Sequence, residues 1–155
     1  MGTNDAGVLA EVPTVTLEQE SGYRFALQFG GAIPVVHSDH EPPLGKGEGP
    51  SPLQMLAAAV ANCLSASLYF ALQKFHESPE PLTASAWARV GRNEGNRLRV
   101  QRIDVRIALG APAAAFTHLE RALAQFEDFC TVTASVRAAV EVVVEVYDSE
   151  GTRVK

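Results

Sequence analysis

The sequence has no block of basic residues. Thirteen Lys and Arg stand against eighteen Asp and Glu, a formal net charge of −5. Nucleic-acid backbones and anionic lipid surfaces are both met by clustered cations. No nucleic acid and no membrane is therefore expected as a partner. The glycine-rich phosphate signatures GxGxxG and the P-loop are missing, as is the GxSxG nucleophile elbow. Four histidines (His37, His40, His76, His118) lack metal-ligand spacing. No metal and no cofactor is expected. Asp39, Glu41 and Glu48 lie in the same segment as His37 and His40, and all are expected to be solvated.

No secretory leader is expected either. Met1 to Gly7 is small and polar, with neither a positive nor an apolar stretch. Residues 1–10 are expected to be a flexible terminus on a single domain spanning 1–155. A soluble chain without an export signal belongs in the cytoplasm, where a purely structural disulfide is disfavoured.

The one long uncharged run is Leu53 to Gln73. Gln54, Asn62, Ser65, Ser67 and Gln73 interrupt it, and alanines dilute it. A bilayer span needs about 20 predominantly apolar residues, so this run predicts a helix buried on most sides. Ser51-Pro52 opens it, with Pro favoured at the first helical position, and it should reach about Phe75.

Elsewhere the patterns alternate. Val12 to Glu18 and Tyr23 to Phe29 predict a hairpin turning at Ser21-Gly22 with one buried face. Ile33 to Val36 predicts a third short strand, and His37 to Ser51 a Pro/Gly-rich loop. Leu82 to Val90 and Leu98 to Leu109 predict a second hairpin around Asn93–Asn96. The alternation changes phase between Val100 and Ile103, which predicts a bulge. Pro112 should start a second helix with Phe116, Leu119, Leu123 and Phe126 as its apolar stripe. Thr131 to Ala138 predicts a short further helix, and Val140 to Val146 a final strand. Antiparallel strands broken by helices define an α+β class.

Only two cysteines are present, Cys63 and Cys130. Cys63 sits in the most apolar helix, where a small buried hydrophobe is one reading and a reactive thiol the other. Cys130 precedes the short helix, whose amide groups and dipole would favour a thiolate, and an inert buried thiol is the alternative reading.

The stretch GPSPLQMLAAAVANC (Gly49–Cys63) resembles the helix-opening motif of the OsmC/Ohr family. FEDFCTVTASVR (Phe126–Arg137) resembles that family's second cysteine motif. The resemblance covers about Val12 to Tyr147. It implies an OsmC-like fold: antiparallel sheets around a long buried central helix, in an interlocked homodimer. It also implies a peroxidase of oxidative stress defence, acting on organic hydroperoxides. Cys63 would then attack the peroxide, Cys130 would resolve it as a disulfide, and a dithiol reductant would restore both. One position departs. Peroxidases of the family carry a glutamate just after the motif proline, paired with an arginine that stabilises the thiolate. Here that position is Leu53, and Arg24 and Lys46 are the cations weighed for the missing partner. Leu53 motivates the second hypothesis, a non-catalytic OsmC-like protein binding an apolar ligand in a dimer-interface cavity.

Overall fold

The computed structural model describes residues 15–155. The expected flexible terminus and the start of the first strand, Val12 to Thr14, lie outside the described residues. The chain divides into two compact units at Pro52/Leu53, taken here one at a time.

The N-terminal unit carries strands β1 (Thr16–Ser21), β2 (Arg24–Gln28) and β3 (Val36–Ser38), antiparallel in that order. Gly22, at φ 53°, makes the β1–β2 turn, a conformation open to glycine at no steric cost. The expected buried face is only partly realised. Leu27 is buried, but every residue of β1 is exposed. β3 begins three residues later than Ile33, which stays exposed.

The loop after β3 differs most from expectation. Asp39 is 3% exposed, not solvated. Its carboxylate accepts the backbone N–H groups of His40 (2.8 Å), Lys46 (2.9 Å) and Glu48 (3.3 Å). These bonds hold the carboxyl below its ordinary pKa, the Lys46 contact most strongly. Such donors favour the charged form. A Cβ on Gly49 would lie 1.8 Å from the His37 carbonyl oxygen, so the strand-to-loop crossing there requires glycine. His37 and Glu48 are also engaged: Glu20 meets both His37 and Arg24, and Arg24 meets Glu48.

The C-terminal unit opens with α1 (Pro52–Gln73). Its end is a local structure. Glu77 N–H bonds the Leu72 carbonyl and His76 N–H bonds that of Gln73, with His76 at φ 58°. This is a Schellman closure with histidine at the position glycine usually takes.

Strands β4 (Thr83–Arg92) and β5 (Leu98–Ala108) pair antiparallel around Asn93–Asn96. The predicted bulge is present: Arg89 pairs with Arg102 and Val90 with Val100, which leaves Gln101 unpaired. The second helix starts later than Pro112 predicts. Residues Ala113–Ala115 form a 3₁₀ turn, and α2 runs over Leu119–Gln125. A second 3₁₀ turn (Phe126–Phe129) leads to α3 (Thr131–Val136), and β6 (Glu141–Tyr147) follows.

The α+β class holds, with two three-stranded sheets and one long helix. The second sheet, however, is not wholly antiparallel, because β6 pairs parallel with β5. The α2–α3 segment supplies the crossover such a connection needs.

Val60, Leu64, Leu68 and Leu72 recur every four residues along α1 and are fully buried. They form one core with Ile103, Val105 and Ile107 of β5, alternate valines of β6, and Leu119, Leu123 and Phe126. Each large side chain so buried contributes about 1.5–3 kcal/mol. The helix is nonetheless buried on one side only. Leu53, Ala58, Ala59, Asn62, Ala66 and Phe70 are exposed, and that face carries no charge. By length and composition α1 could cross a membrane, but its leucine side is the core of this unit.

Candidate redox site

The core placement of α1 and the segment after α2 brings the two cysteines together. Cys63 lies one residue before the buried Leu64 and is half-buried, packed against the core cluster. Cys130 is the extended residue (φ −88°, ψ 91°) between the Phe126–Phe129 turn and α3, and is fully buried. Its N–H bonds the Glu127 carbonyl at 3.1 Å, and its own carbonyl accepts Ala134 N–H at 2.9 Å. Both cysteines are free thiols. The Cys63 side chain lies close enough to Cys130 to act on its ionisation.

The electrostatics of Cys130 run against the sequence expectation. The thiol is pushed above its ordinary pKa, first by burial and then by the neighbouring Cys63. The Thr133 hydroxyl, 2.9 Å from Sγ, pulls the other way. The N-terminus of α3 does not overcome this, since the helix has only six residues and desolvation disfavours the charged form.

Of the cations weighed from the sequence, Arg24 is paired with Glu20 and Glu48 within the N-terminal unit. Lys46 contributes its backbone N–H to Asp39. Leu53 is 42% exposed. Among the described residues, no group of three or more His, Cys, Asp or Glu side chains could hold a metal ion.

Two features around Cys130 escaped the sequence reading. Glu127 pairs with Arg137 and with Lys155 Nζ (2.8 Å), tying the Cys130 turn to the far side of α3 and to the chain end. Phe129 meets Phe70 of α1 edge to face at 5.5 Å, and Lys74 Nζ sits 4.0 Å and 4.7 Å from the two ring centres. The four-residue spacing of Phe70 and Lys74 places them on one helix face. Nothing in the sequence reports the third partner, Phe129.

A long helix carrying one half-buried thiol, packed on the same core as a second, buried thiol, defines a class of α+β dithiol protein. The profile of the OsmC-like protein family matches residues 45–145, and the chain belongs to that family. Solved structures share the fold at low identity. An OsmC-like protein from Vibrio cholerae superposes with a TM-score of 0.71 at 17% identity, covering 86% of this chain and 97% of that one. An organic hydroperoxide resistance protein OsmC from Legionella pneumophila gives 0.67 at 14%, covering 88% and 98%. The organic hydroperoxide resistance protein OhrB of Bacillus subtilis gives 0.65 at 14%, covering 86% and 97%. No curated protein matches the sequence.

Proposed function

We propose that this protein is a thiol peroxidase that reduces organic hydroperoxides with the Cys63/Cys130 pair, in defence against oxidative stress. One observation carries the reading: two free thiols packed against the same core and near enough to interact, one half-buried and the other fully buried. A substrate reaches the more accessible sulfur first, so Cys63 attacks and Cys130 resolves. The Legionella and Bacillus neighbours are organic hydroperoxide resistance proteins, and the name points to the same substrate class.

In the first step the Cys63 thiolate attacks the terminal peroxide oxygen. An S–O bond forms, the O–O bond breaks, and the alkoxide leaves as the alcohol after taking a proton. Cys63 is then a sulfenic acid. In the second step the Cys130 thiolate attacks the Cys63 sulfur. The S–S bond forms, the S–O bond breaks, and hydroxide leaves as water after taking a proton. A cellular dithiol reduces the disulfide and is itself oxidised, which fits a cytoplasmic setting.

The raised pKa of Cys130 leaves it little thiolate with which to meet the peroxide first, which supports its place in the second step. The uncharged exposed face of α1 supports a homodimer, since exposed apolar patches on monomers are usually covered by a partner.

The test is consumption of cumene hydroperoxide by purified protein with a dithiol reductant. Turnover that disappears in Cys63→Ser is expected. No turnover, with Cys63 still a free thiol under stoichiometric oxidant, would overturn the proposal. Retained binding of an apolar ligand by such an inert protein would then favour a non-catalytic binding role.

A further inference from the structure

Thr133 is fully buried in the third position of α3. A buried threonine hydroxyl needs a partner, and the partner it has is the Cys130 sulfur at 2.9 Å. We infer that Thr133 is a positioning residue for the second step, fixing the Cys130 sulfur toward Cys63 and holding its charge once the proton leaves. This role rests on the peroxidase reading above.

The geometry suits both protonation states. As a thiol, Cys130 donates to the Thr133 oxygen. As a thiolate, it accepts from the Thr133 hydroxyl after a rotation about one bond. Cys130 has no exposed surface, so this hydroxyl takes the place of water beside the sulfur. A hydrogen bond to a charged group is about twice as strong as a neutral one, so the contact tightens when the thiolate forms. The titratable group facing Cys130 from α1 is Cys63, and its effect opposes ionisation. Glu127, one turn earlier, has its carboxylate engaged by Arg137 and Lys155. Thr133 is thus the side chain that favours the reactive form of Cys130.

The experiment titrates the Cys130 thiolate by ultraviolet absorbance in the full chain carrying Cys63→Ser, alone and combined with Thr133→Val or Thr133→Ser. Folding is verified first by circular dichroism, and Thr133→Ala replaces the valine variant if that one does not fold. The expected result is a midpoint raised by about one pH unit without the hydroxyl and restored by serine. In the chain with Cys63 intact, disulfide formation after peroxide addition should slow about tenfold at neutral pH for Thr133→Val. The titration needs no peroxide, so a protein that never reduces peroxide overturns the peroxidase reading and leaves the Thr133 contact to be decided by its midpoint. Coincident midpoints for threonine and valine, or an equal shift for serine and valine, would overturn the role of Thr133.

Discussion

Asp39 grips Lys46 by the backbone: its Oδ2 accepts the Lys46 N–H at 2.9 Å, across a seven-residue loop. The same oxygen takes Glu48 N–H at 3.3 Å, and Oδ1 takes His40 N–H. A carboxylate that looks like loop solvation in the sequence is therefore the closure of the loop. Asp39→Ala should speed amide hydrogen exchange at His40, Lys46 and Glu48, with little change in the β5 core. Unchanged exchange at all three amides would contradict this.

Acid sensitivity follows from the same group. Asp39 is held below its ordinary 3.8 by the Lys46 amide first, and Asp148 by the Ala113 amide first. A carboxyl whose folded pKa is lowered contributes stability that is present above the unfolded pKa. That stability is lost as pH falls through the lower folded value. Urea unfolding should therefore show a flat contribution from these groups down to about pH 4, then a decline. Asp39→Asn should shrink the decline. An identical acid limb in the variant would rule Asp39 out as its source.

The chain crossing at Gly49 should tolerate no side chain. An added Cβ would meet the His37 carbonyl carbon at 2.8 Å and its oxygen closer still. Both are backbone atoms that cannot swing away. Gly49→Ala should cost about 1–3 kcal/mol, the range for forced overpacking. Denaturant titration followed by a probe in the N-terminal unit measures this. A change below about 0.5 kcal/mol, typical of an innocuous surface site, would refute the clash.

The two cysteines should give different products under stoichiometric hydroperoxide. The wild type should lose two hydrogens in intact mass, the signature of an intramolecular disulfide. Cys130→Ser should instead gain one oxygen at Cys63, which a sulfenic-acid trap would capture. Cys63→Ser should remain unchanged. Oxidation of Cys63→Ser at Cys130 as fast as the wild type would reverse the assigned roles.

The exposed face of α1 makes the homodimer testable. Ala66 lies on that uncharged face, opposite the buried leucine row. Ala66→Arg would place a cation where a partner is proposed, and a desolvated, unpaired charge is strongly unfavourable. Sedimentation should show a dimer in the wild type and a shift to monomer in the variant. A wild-type monomer would sink the assembly proposal, and so would a variant dimer of undiminished affinity.

Much of this protein is written in local pattern. The uncharged run and Ser51-Pro52 define α1 to within two residues at its end, because proline geometry and apolar content act over a single helix. The phase slip between Val100 and Ile103 locates the Gln101 bulge, because a strand's two-residue period registers every insertion. The two cysteine motifs, taken together, carry the family.

Tertiary structure decided the rest, since it depends on what each group faces. Nothing beside Asp39 in the sequence reports that three amides from a folded loop converge on it. The parallel pairing of β6 follows from where the α2–α3 crossover returns the chain, which strand alternation does not encode. The sequence places Cys130 at a helix start and so points to a stabilised thiolate. Full burial beside Cys63 outweighs six residues of helix and raises its pKa instead. A charge's stability is set by the water it loses and the dipoles it gains, and only the folded chain fixes both.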